Sequence, residues 1–124
     1  MSKLLVYGTL KRGFSNHNHI FSGYDIKITP AWTYGELYDL EWYPALTSGE
    51  NKVYGELIEF DDPEILMKID MLEGYRGKES SFNFYERREI QVFTEKEEFT
   101  AWAYYLRRSK IIDAEGELIT SGFW

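Results

Sequence analysis

Cysteine is missing from all 124 residues. Its absence removes disulfides, thiolate nucleophiles and cysteine-based zinc or iron–sulfur sites together. Histidine is scarce: His17 and His19 are the only two. No run of about 18 apolar residues occurs, so no membrane partner is expected. Met1 to Val6 (M-S-K-L-L-V) enters a strand-like pattern without the long apolar core or cleavage site of a secretory leader, and a cytoplasmic location is expected. Positive charge is also short, at 14 Lys and Arg against 21 Asp and Glu, a net charge of −7. The basic pairs Lys11-Arg12, Arg87-Arg88 and Arg107-Arg108 form no stripe, so no nucleic-acid partner is expected. Neither a Gly-Lys-Ser/Thr phosphate loop nor a G-x-S-x-G nucleophile elbow is present.

What the chain does have is aromatic bulk. Tyr, Phe and Trp make up 18% of it, within 44% hydrophobic residues, more than a disordered chain carries. At this length a core can form without disulfides or metals. No linker or low-complexity segment interrupts the chain, and one domain over residues 1–124 is expected.

The pattern Y-G-x-L occurs three times, starting at Tyr7, Tyr34 and Tyr54. After Gly35 and Gly55 the chain continues with strand-forming residues. Both copies read as strand interiors, where glycine marks a bulge or a close approach by another backbone or a ligand. They are expected on neighbouring strands, joined around Tyr43-Pro44-Ala45-Leu46 and Ser48-Gly49-Glu50-Asn51. The first copy differs. A strand over Lys3 to Tyr7 breaks at Gly8-Thr9-Leu10-Lys11-Arg12-Gly13, and Ser15-Asn16 extend the loop. Backbone amides at such a break lose their ladder partners and can converge on an anion or carboxylate. This loop is therefore the candidate site, with an ordinary turn as the alternative. Valine at Gly8 is expected to block a ligand while leaving the fold largely intact.

Further strands are expected over Trp32 to Leu40, Asn51 to Phe60, Phe82 to Phe93 and Glu98 to Leu106, with a tail after that. Asp62-Pro63 signals a helix start and Gly74 a helix end, giving one main helix at about 62–73. The fold class is α+β: a small, mixed, strongly curved, barrel-like sheet of five to six or more strands with that helix.

Helical phasing puts Ile65, Leu66, Ile69 and Leu72 on one apolar arc. Glu73 falls inside the arc, between Ile69 and Leu66. A carboxyl facing the core in the last helical turn has its pKa raised by desolvation and by the helix dipole, as a general acid or base working near neutrality requires. The alternative is an exposed Glu73, or one paired with Arg76 or Lys78. His17 and His19 read as part of a polar loop without a third ligand, so no metal is expected. Tyr85 reads simply as a strand aromatic.

Together, Tyr7-Gly8-Thr9-Leu10-Lys11-Arg12-Gly13 with Asn16-His17, Tyr43-Pro44-Ala45-Leu46, Val53-Tyr54-Gly55-Glu56-Leu57, Asp70-Met71-Leu72-Glu73-Gly74-Tyr75 and Phe84-Tyr85-Glu86-Arg87 resemble the γ-glutamylcyclotransferase-like proteins, which include γ-glutamylamine cyclotransferases. The resemblance runs over essentially the whole chain. It implies a small-molecule γ-glutamyl substrate, converted to 5-oxoproline and a free amine without a cofactor. It implies that backbone amides of Tyr7, Gly8, Thr9 and Leu10 hold the glutamyl carboxylate, that Glu73 is the general acid/base, and that Tyr85 is a pocket tyrosine. A non-catalytic module of the same fold, binding a small carboxylate or a protein, is the rival reading. The leaving amine and the oligomeric state stay open.

Overall fold

Alternation of apolar residues decides the sheet. In the computed structural model, which describes residues 2–124, β1 (Ser2–Val6) pairs antiparallel with β3 (Pro44–Phe60) from Ser2↔Phe60 to Val6↔Glu56. On its other side β1 runs parallel to β5 (Glu98–Tyr105) at Leu4↔Trp102. β5 and β4 (Glu86–Phe93) form a hairpin, and β2 (Ile26–Asp39) forms a long hairpin with β3. A single pairing of β2 with β4, Trp32↔Phe93, closes the five strands into a barrel. The short β6 (Glu117–Leu118) adds to the far end of β2.

Because successive strand residues point to opposite faces, two apolar cores form. Leu5, Tyr7, Ala31, Leu37, Leu46, Val53, Leu57, Val92, Ala101 and Ala103 come from all five barrel strands and fill the interior. Leu4, Val6, Ile58, Phe60 and Tyr104 take the other face. They pack there under α1 (Ser15–Phe21) through Ile20 and Phe21, and under α2 (Pro63–Glu73) through Ile65 and Ile69. No helix among the described residues is long and apolar enough to cross a membrane.

The Y-G-E-L copies lie on the neighbouring strands β2 and β3, and each glycine has a distinct cause. At Gly35 the register slips: Gly35 faces Asn51 while Glu36 faces Thr47. At Gly55 a side chain would sit 2.2 Å from the carbonyl oxygen of Val6, so β1 can pass only over a glycine. The segments expected to join the strands are themselves part of β3, which starts at Pro44 rather than Asn51.

Four further expectations need correction. Ser15 to Phe21 is a helix rather than a loop, and Arg108 to Asp113 in the presumed tail is the short helix α3. Residues 82–85 are not strand. Their backbone amides turn instead to the end of α2, Phe84 N–H donating to Gly74 O (2.9 Å) and Tyr85 N–H to Glu73 O (3.2 Å). Leu72 is 44% exposed, although the phasing places it on the apolar arc. Leu72 lines the cavity described below instead of packing into the core.

Candidate active site

The turn after β1 begins where Gly8 fits under Pro44. A Cβ at Gly8 would lie 2.6 Å from Pro44 Cγ, so the loop is held against the start of β3 with no room for a side chain. The expectation that Gly8→Val spares the fold is thereby corrected, because the obstacle is a rigid proline ring within the protein. The loop closes with Lys11 N–H donating to Gly8 O at 3.0 Å, and Asn16 Nδ2 donates to Thr9 Oγ1 at 3.0 Å. Among the described residues, none of the loop's hydrogen bonds uses the amides of Gly8, Thr9 or Leu10. Three adjacent donors are left at the turn, a favourable arrangement for an anion.

α2 delivers the carboxylate opposite. Asp62 caps its start by accepting from Glu64 N at 2.9 Å, and Pro63 occupies the first turn. Gly74 ends it in the left-handed conformation (φ 67°), with Tyr75 N–H donating back to Asp70 O at 2.8 Å. This fixed last turn holds Glu73 half-buried in the wall of a cavity of about 230 Å³. Tyr7, Gly8, Thr9, Leu10 and Tyr85 line the same cavity, so all six residues singled out in the sequence surround one space. No ion pair joins Glu73 to Arg76 or Lys78 among the described residues.

Burial pushes the Glu73 carboxyl up to about 7. It also raises Tyr7 and Tyr85, the charge of Glu73 adding to both, so their hydroxyls stay protonated at neutral pH. Each hydroxyl proton is already committed. Tyr7 donates to the carbonyl of Tyr104, and Tyr85 donates to that of Pro44 at 2.8 Å. The Tyr7 side chain therefore ties β1 to β5 inside the barrel, while Tyr85 ties the segment before β4 to the start of β3.

Four kinds of residue escaped the sequence reading. Tyr43, Leu72 and Phe84 form the rim of the cavity, with Tyr43 and Phe84 rings edge to face at 5.8 Å. Asn16 and Tyr104 line its wall. Asp70 sits behind Tyr104, bound to Arg87 at 2.6 Å. His17 is buried, its Nδ1 2.8 Å from Leu10 O, so it braces the loop, while His19 two positions on is exposed on the other side of α1. The alternation in Glu98 to Leu106 could have separated Tyr104 from Ala103 and Tyr105, but nothing local shows what Tyr104 touches.

The lining of the cavity thus combines amide donors with a carboxyl raised by burial, and no lysine, arginine or histidine is among the described residues that line it. The family model "Gamma-glutamyl cyclotransferase, AIG2-like" matches residues 4–124. A Niallia circulans protein named gamma-L-glutamyl-butirosin B gamma-glutamyl cyclotransferase is 32% identical over 114 residues, 91% of this chain and 72% of that protein. A Vibrio cholerae protein, provisionally named a gamma-glutamylcyclotransferase, is 31% identical over 98% of this chain and 93% of its own. The crystal structure of YkqA from Bacillus subtilis superposes with a TM-score of 0.74 at 26% identity, over 99% of this chain and 39% of that longer one. With the family model spanning nearly its full length and the Niallia circulans and Vibrio cholerae proteins matching across most of theirs, the chain belongs to the gamma-glutamyl cyclotransferase, AIG2-like family.

Proposed function

We propose that this protein is a γ-glutamylcyclotransferase that releases 5-oxoproline and a free amine from a γ-glutamyl amine or amide, with Glu73 moving the proton. The family and the names of its relatives support the general activity. The observation that carries the specific reading is Glu73, pushed up to about 7 by burial, across one cavity from the uncommitted amides of Gly8, Thr9 and Leu10. An α-amino acid head group has the matching polarity. Its carboxylate would take the amides and its ammonium would face the carboxyl.

The chemistry then needs little else. Glu73, ionised, removes a proton from the substrate's α-ammonium. The freed nitrogen attacks the γ-carbonyl carbon of the same molecule and closes a five-membered ring. The bond from that carbon to the leaving nitrogen breaks, and both protons shed by the attacking nitrogen pass by way of Glu73 to the leaving nitrogen, which departs as an ammonium, so no water is consumed. Attack is intramolecular, and holding the folded conformer can supply about 7–11 kcal/mol of the barrier. The cavity has the dimensions to do so. Its volume lies below the roughly 300–1,000 Å³ of sites for drug-sized ligands and fits a folded glutamyl group, with the leaving amine at the rim of Tyr43, Leu72 and Phe84.

The test is incubation with a panel of γ-glutamyl amines and γ-glutamyl amino acids, following 5-oxoproline by mass spectrometry. Release from at least one member, with kcat/KM falling about tenfold per pH unit below about 7, is expected. Binding of 5-oxoproline without release of it from any substrate would favour the non-catalytic binding module instead.

A further inference from the structure

Tyr104 lines the cavity, and its surroundings fix the direction of its hydroxyl. The hydroxyl donates to Asp70 Oδ1 at 2.5 Å, while Asp70 Oδ2 accepts from Arg87 Nη1 at 2.6 Å. Arg87 is in turn clamped, its guanidinium 5.0 Å from the Tyr75 ring and 4.7 Å from that of Trp102. An ion-paired carboxylate only accepts, so the Tyr104 proton has one place to go. A phenol has one donor and retains oxygen lone pairs for accepting. With its proton held by Asp70, the Tyr104 hydroxyl can offer a ligand only its oxygen lone pairs. Tyr104 and Glu73 line the same cavity, and the charge of Glu73 adds to the burial that raises the Tyr104 hydroxyl.

We propose that the Tyr104 oxygen accepts a hydrogen bond from the substrate's α-ammonium, with Asp70 and Arg87 as the positioning residues that keep the Tyr104 proton out of the way. This deepens the reading of the cavity as a γ-glutamyl site and rests on it. The amides of the loop then bind one end of the head group, and Glu73 and Tyr104 bind the other. Selectivity for an α-amino group follows, because a ligand lacking it leaves Tyr104 without a partner. Neither the loop motif nor the phasing of α2 points to this residue.

The experiment is a double-mutant cycle between protein and ligand. Binding of N5-ethyl-L-glutamine and of its des-amino counterpart, 5-(ethylamino)-5-oxopentanoate, is measured by calorimetry in a Glu73→Gln background, where turnover is blocked. Tyr104→Phe is expected to weaken the amino ligand by about 10–100-fold, as for a hydrogen bond to a charged group, and the des-amino ligand by no more than about twofold. Asp70→Asn serves as the second variant. Its side-chain amide can donate to the Tyr104 oxygen and occupy the acceptor position, so the same amino-selective loss is expected. A merely structural role would weaken both ligands together. Equal losses for the two ligands, or none for either, in folded Tyr104→Phe protein overturn the proposal. The underlying reading fails separately: continued release of 5-oxoproline by the Glu73→Gln protein would remove Glu73 from the chemistry, whereas an amino-selective loss would still support Tyr104.

Discussion

Glu73→Gln should stabilise this protein, and by an amount that depends on pH. The folded-state carboxyl titrates at about 7 against an ordinary 4.5, because burial penalises its charged form. A raised pKa means that the group costs nothing below about 4.5, where it is protonated in both states. Its cost grows as pH rises to about 7 and is constant beyond. At about 1.36 kcal/mol per pH unit, the gap gives a ceiling of roughly 3 kcal/mol above neutrality. Glutamine keeps the shape and removes the charge, returning about 2–3 kcal/mol after the smaller cost of burying an amide. For a chain of this size that is a rise in Tm of about 6–12 °C at pH 8, shrinking to nothing near pH 4. Differential scanning calorimetry of both proteins from pH 4 to 8 reads the difference directly. 5-Oxoproline release from the best substrate, assayed on the same preparations, should fall by about 10²–10⁴-fold. Parallel Tm curves across this range would refute the reasoning, since a residue whose charge is solvated or paired gains nothing pH-dependent on its removal. Full turnover by the variant would separately end the acid–base assignment.

Gly8→Ala should lower Tm by several degrees and weaken 5-oxoproline binding, because its Cβ overlaps Pro44; adding Pro44→Ala should recover part of both, and an additive double variant would count against that contact. Gly55→Ala should cost about 2–4 kcal/mol in urea titration, since the new methyl meets the Val6 carbonyl where β1 crosses β3; an unchanged midpoint would mean the two strands do not approach as described. Arg87→Leu should destabilise by about 2–3 kcal/mol at pH 7, leaving Asp70 without its ion-pair partner, and Asp70→Asn in addition should restore some of the loss. A double variant no better than the single one would show that the Arg87 side chain acts by packing between Tyr75 and Trp102, and not through the charge of Asp70.

The sequence by itself determined those features that depend on a few neighbouring residues. Asp62, Pro63 and Gly74 bound α2 through backbone groups within a turn of each end, and the 3.6-residue period put Glu73 on the same side of the helix as Ile65 and Ile69. Alternation marked the strands, and the glycines at 35 and 55 marked a register slip and a close crossing. The broken pattern after Tyr7 marked the loop. Only the tertiary structure decided what these elements meet. It left Leu72 half-exposed in the lining of the cavity, and drew residues 82–85 away from strand pairing because the end of α2 offered carbonyl acceptors. It made a helix of Ser15 to Phe21, whose Ile20 and Phe21 gain a core to bury against only once the barrel has formed. The cavity is decided at the same level. Tyr7 and Tyr104 are bonded across 97 positions of chain, and Tyr104, Asp70 and Arg87 come from β5, α2 and β4. Desolvation of Glu73 and the direction of a hydroxyl proton are set by which atoms surround them, and in this fold those atoms are brought in by barrel closure from distant parts of the chain.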